Sequence, residues 1–262
     1  MNRLRLIPLV LAVALVLVPT TALATAKRSV VYTAVGDSIA VGTGATDASH
    51  GYVGLFASHL AQGHRTTTLN RACYNGMTSG LLLGHLTIPA APHYADFNAA
   101  VAGADIITVS IGGNDLLQTV AGITPAYLLN LSDGDRALLL GALSAQLNTH
   151  IAEFTANWPA IVTRMRYLNP TAKVFVNTVY NPFKAGDGLY ELVDPYIRGI
   201  NGVIVAGAAT GDYKIVDVYA KFSDYGNPRK LLVWGLDGAV PLHPTDRGYK
   251  LIYNLLKDAY GA

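Results

Sequence analysis

The sequence predicts an α/β domain, a parallel sheet buried between helices. Three observations point there. Short apolar runs rich in β-branched residues recur without strict alternation, as suits strands buried on both faces. Longer segments with apolar residues spaced by three and four lie between them. The two kinds alternate, and strand–helix–strand units close most readily as parallel crossovers.

The elements follow in order. Residues 1–24 stand apart from the rest. Arg3 and Arg5 precede an apolar stretch from Leu6 to Val18, and Ala22-Leu23-Ala24 supplies a small-x-small cleavage pattern. A stretch of about 13 residues falls short of the roughly 20 that a spanning helix needs. These residues read as an export signal, with residues 25–262 as one domain and a secreted, extracellular location for the mature chain. No stable membrane span is expected after cleavage.

Val30 to Val35 reads as the first strand and Thr66 to Leu69 as a weaker second. Ile106 to Ile111 is the third, Val174 to Thr178 the fourth and Ile215 to Val218 the fifth. Helices are expected over Val53–Leu60, Asp135–Trp158, Pro195–Ala209 and Thr245–Tyr260. Ser132 or Asp133 would cap the second of these, and Thr245 or Asp246 the last.

The chain has 262 residues, 51% of them hydrophobic and 14% charged, which excludes intrinsic disorder. Both basic residues of the first 24 positions belong to the leader, and the remaining charges balance. No basic field is left to recruit nucleic acid. The single cysteine, Cys73, excludes an internal disulfide framework and a cysteine-rich zinc site, and reads as a packing residue. The histidines show no metal-ligand spacing, and no phosphate-binding or dinucleotide fingerprint is complete. No metal or cofactor is expected.

In parallel α/β sheets, ligands bind outside the carboxyl ends of the strands. The residues following each strand are therefore informative. After the first strand come Gly36-Asp37-Ser38, a turn that places a hydroxyl at the start of the next helix. After the second comes Asn75-Gly76, where Gly76 can offer an unobstructed amide. After the third come Gly112-Gly113-Asn114-Asp115, with a side-chain amide at Asn114. Late in the chain, His243-Pro244 precedes the last helix. Each signal alone reads equally as a cap, a turn or a loop. Together they supply a nucleophile, a base and hydrogen-bond donors at one sheet edge, the set that acyl transfer requires. Asp37 and Asp115 read as carboxylates that bond nearby amides.

These four blocks, in this order, resemble the SGNH or GDSL hydrolase family across about residues 30–250. The resemblance implies a three-layer α/β/α flavodoxin-like domain with a five-stranded parallel sheet in the order 2-1-3-4-5. It implies ester hydrolysis without a metal or organic cofactor. It assigns Ser38 as nucleophile, His243 as base, and the Ser38 amide, the Gly76 amide and the Asn114 side chain as the oxyanion hole. The segment Thr178 to Phe183 is similar to one in lipase-like bacterial members.

One departure matters. The family pattern places an Asp three residues before its His, and Val240 stands there. Asp237, six residues back, could orient His243. A main-chain carbonyl or an acid from elsewhere could also serve, and Asp237-Gly238 reads equally as a turn.

The expected function is a secreted serine ester hydrolase acting on lipid or short acyl esters. Tyr52, Tyr74, Met77, Leu81 to Leu83 and Tyr180 are candidates to line an acyl site, with ordinary core as the competing reading. Two alternatives stand: a carbohydrate or peptidoglycan O-acetylesterase, and a non-catalytic secreted binding protein on the same fold.

Overall fold

The computed structural model describes residues 29–262 apart from 64–66, 121–122, 124, 187–188, 227–229 and 234–241. The leader lies outside this range. The elements alternate as expected. They are β1 (Val30–Gly36), α1 (Ser38–Val41), α2 (Tyr52–Gly63), β2 (Thr67–Cys73), α3 (Ser79–Thr87), α4 (Tyr94–Ala102), β3 (Ile106–Ser110), α5 (Gly113–Val120), α6 (Pro125–Leu129) and α7 (Asp133–Leu168). They continue with β4 (Lys173–Asn177), α8 (Leu189–Gly211), β5 (Tyr213–Val216), α9 (Val218–Asp224) and α10 (Asp246–Gly261).

The sheet runs β2-β1-β3-β4-β5 with every pairing parallel, so the expected 2-1-3-4-5 order holds. Successive strand residues face opposite sides, and the core divides accordingly. Val35, Ile107, Val109, Val174 and Val176 pack with apolar residues of α3, α4, α5, α7 and α8. Tyr32, Ala34, Ile106, Phe175 and Val216 pack with α2, α9 and α10. This is a three-layer α/β/α domain.

Several boundaries differ from expectation. β2 runs on to Cys73, pairing with β1 along its whole length. As an edge strand it tolerates Asn70 and Arg71, which weakened its signal. β5 stops at Val216 rather than Val218, because Asp217 caps α9 by accepting from the Ala220 amide and also accepts from the Thr178 hydroxyl. The helix expected to end at Trp158 continues through Pro159 to Leu168. A proline inside a helix costs about 3 kcal/mol. Beyond it Ile161, Val162 and Met165 continue the buried stripe and offset that cost.

Gly36 fixes how β1 leaves the sheet. Its φ is +131°, and a Cβ there would lie 1.8 Å from the Ser110 carbonyl oxygen. Gly36→Ala is expected to destabilise the domain by about 3 kcal/mol or more, from overpacking and a φ forbidden to L-residues. A urea unfolding midpoint well below wild type is the readout.

Candidate active site

The turn after β1 is built by Asp37. Its Oδ1 accepts the Ile39 amide at 3.0 Å, capping α1, and the Ser110 hydroxyl at 3.0 Å. Its own amide donates to the Ser110 carbonyl at 2.9 Å, tying the turn to β3. Burial pushes the Asp37 carboxyl up to about 7. Ser38 is therefore presented by a turn fixed on two sides, and it is buried.

His243 reaches the same place from the far end of the chain. Its Nε2 lies 2.9 Å from Ser38 Oγ. The segment carrying it is held by a short antiparallel bridge. The Val233 amide donates to the His243 carbonyl and the Thr245 amide to the Leu231 carbonyl, both at 2.8 Å. The Tyr180 hydroxyl donates to the Leu242 carbonyl, and the Tyr180 ring stacks on Phe222 with centroids 4.5 Å apart. Gly44 closes the other side. At φ +96° it carries no Cβ, and one would lie 2.9 Å from His243 Cβ and 2.7 Å from the Pro244 carbonyl oxygen. Burial lowers the pKa of the His243 imidazole, which favours the neutral ring needed to accept a proton.

Asn114 and Gly76 complete the arrangement. Ser38, Gly76, Asn114 and His243 line one cavity of about 180 Å³. Asn114 sits in the first turn of α5 and donates through Nδ2 to the Met77 carbonyl at 2.9 Å. Gln118 Nε2 donates to the Gly76 carbonyl at 3.1 Å, joining α5 to the Gly76 turn. Asp115 accepts the Ser79 amide at 3.0 Å and the Ser79 hydroxyl, so its carboxylate anchors the start of α3 outside the cavity. Ile111, Leu117, Val179, Val218 and Ile252 supply most of the apolar wall.

Of the residues expected to line an acyl site, only Tyr180 does so. Tyr52, Met77 and Leu82 are core residues, and Leu81 is exposed on α3. For Tyr52, Met77 and Leu82 the competing reading of ordinary core holds. Cys73 is half-buried, and burial pushes its thiol up to about 11, away from the thiolate a nucleophile needs. Asp237 lies outside the described residues. Sequence reasoning did not single out Gly44 or Asn177. Gly44 resembled only a failed dinucleotide motif, and Asn177 was read as one more strand residue. Among the described residues there is no group of three or more His, Cys, Asp or Glu that could hold a metal ion.

The profile of the GDSL-like lipase/acylhydrolase family matches residues 34–251. The chain belongs to this family. The GDSL chain is 27% identical over 236 residues to the spore germination lipase LipC of Bacillus licheniformis, an alignment covering 88% of this chain and 96% of that one. Two solved structures share its fold. A lipase from a goat rumen metagenome has a TM-score of 0.63 at 24% identity, with 88% of this chain and 97% of that one covered. An extracellular lipase from Streptomyces rimosus has a TM-score of 0.62 at 22% identity, with 88% and 99% covered. As a GDSL-family member the protein is a carboxylic ester hydrolase of the lipase/esterase type.

Proposed function

We propose that the protein is an exported serine esterase that cleaves short to medium acyl esters through an acyl-enzyme at Ser38. The observation that carries this reading is the 2.9 Å contact between Ser38 Oγ and His243 Nε2 inside a cavity shared with Gly76 and Asn114.

His243 Nε2 takes the Ser38 proton as Oγ bonds to the ester carbonyl carbon. The oxyanion rests against the Ser38 amide, the Gly76 amide and Asn114 Nδ2. Collapse of the tetrahedral intermediate breaks the bond to the alcohol oxygen, which leaves with the proton from His243. Water then attacks the acyl-enzyme, giving its proton to His243. The carboxylic acid departs and Ser38 recovers its proton.

The cavity supports the substrate class. Its lining includes Ile39, Ile111, Leu117, Val179, Val218, Leu242 and Ile252, an apolar surface that suits an acyl chain and favours longer chains over the O-acetylesterase reading. Export rests on the leader-like residues 1–24, and the extracellular lipase of similar fold agrees with it.

A fluorophosphonate probe tests the reading, run on wild type and Ser38→Ala with p-nitrophenyl esters of increasing chain length in parallel. Labelling confined to wild type and rates rising from acetate toward hexanoate are expected. Absence of labelling in folded protein would favour a binding protein. A rate maximum at acetate would favour the deacetylase.

Asn114→Ala is expected to lower kcat by about 10²–10³ while leaving measurable turnover, because one oxyanion donor of three is removed. Asp237→Ala separates the orienting groups. A loss of about 10⁴ in kcat assigns Asp237 to His243, and a change within a few-fold assigns the task to another group.

A further inference from the structure

We infer that the acyl part of the substrate carries a keto or hydroxyl oxygen, received by the side-chain amide of Asn177 at the inner wall of the cavity. The inference rests on the ester-hydrolase reading of Ser38 given above.

Asn177 is the last residue of β4 and is 4% exposed. Its Nδ2 and Oδ1 are both buried, and neither has a hydrogen-bond partner among the described residues. The residue lines the cavity that holds Ser38 and His243. Buried polar side-chain atoms are nearly always paired, so two unpaired atoms on one amide call for an explanation. Polar neighbours are satisfied. Ser110 donates to Asp37, Thr178 donates to Asp217 and accepts from the Tyr219 amide, and Asn181 bonds Asp194 and the Phe183 amide. Among the described residues lining this cavity, only Asn177 has buried side-chain atoms without a partner.

The geometry decides which part of the ester meets it. The departing alcohol must reach His243 Nε2, and His243 is only partly buried. Asn177 is buried, so the acyl chain is the part that points toward it. Gly36 pairs with Ser110, and Asn177 lies one residue beyond the Val109–Val176 pair, beside Ser110. Two strand spacings separate the ends of β1 and β4, about 10 Å. Ser38 and Asn177 reach inward from those two ends, so the amide meets roughly the third to fifth acyl carbon. The cavity wall also carries Ile111, Leu117, Val179 and Val218, whose side chains offer the amide no partner. A plain hydrocarbon chain would seal the amide without a partner. A keto oxygen accepts from Nδ2, and a hydroxyl can also donate to Oδ1.

The test compares p-nitrophenyl 3-hydroxybutanoate, 4-oxopentanoate and 5-oxohexanoate with butanoate, pentanoate and hexanoate. Each rate is divided by that ester's alkaline hydrolysis rate. Wild type is expected to show kcat/KM about tenfold higher for the best oxygenated ester than for the plain chain of equal length. In Asn177→Leu the preference should fall to within about twofold. A wild-type enzyme with no such preference at any length overturns the inference, as does a preference that survives in the Leu variant. A water or a rotated side chain satisfying Asn177 would give the first of these results. If Asn177→Leu and the milder Asn177→Thr both fail to fold, the wild-type comparison decides alone. p-Nitrophenyl acetate is too short to reach Asn177. Its Ser38-dependent hydrolysis reports the esterase reading separately.

Discussion

Ser38→Ala is expected to lower kcat by about a millionfold and to abolish fluorophosphonate labelling, with little change in fold. The magnitude follows from the proposed role. Without Oγ no acyl-enzyme forms, and what remains is transition-state stabilisation by the oxyanion donors and binding, roughly 10³-fold over water. Structural integrity should survive because Ser38 is not the cap of α1. Asp37 is, through the Ile39 amide, and the turn is tied to β3 by the Ser110 contacts. Circular dichroism and the urea midpoint should match wild type. A variant that folds normally and keeps a tenth of wild-type turnover on purified protein would refute the assignment.

His243→Ala is expected to be nearly as damaging, again on the order of 10⁶ in kcat, since nucleophile and base act as one unit. The pH profile adds a separate readout. The base must be neutral to accept the Ser38 proton. Burial lowers the pKa of the imidazole, so kcat/KM should be level above that value and fall about tenfold per pH unit below it. The acid limb therefore begins lower than an ordinary imidazole would place it. In His243→Ala that limb should vanish, and residual hydrolysis should rise with hydroxide concentration instead. An unchanged acid limb in the variant would assign the titration to another group. The buried Asp37 carboxyl, at about 7, is the group to examine next.

The legible parts of the sequence were those fixed by periodicity or by strand-end placement. Strands buried on both faces, such as β3 with Ile106, Ile107 and Val109, announce themselves by unbroken apolar content. The order of the four blocks anticipated the meeting of Ser38, Gly76, Asn114 and His243 around one cavity. α3, α4, α5, α6 and α9 were not anticipated. They are five to nine residues long, too short for a periodic stripe to stand out. Pro159 and Pro195 lie inside α7 and α8, where local chemistry argues for a boundary and burial of the following turns prevails. Gly44 and Tyr180 shape the setting of His243 only through tertiary contacts, Gly44 to residues about two hundred positions away and Tyr180 to one 62 positions away, and no local pattern encodes such distances.

The stacking of Tyr180 on Phe222 has a further consequence. Phe222 belongs to α9 and is not part of the cavity wall, yet it is the surface against which the ring that grips the Leu242 carbonyl lies. Trimming that phenyl ring would loosen the grip while sparing every reacting group. Drift at this remote helical site would then register as sluggish chemistry in an otherwise well-behaved protein, a throttle located away from the engine.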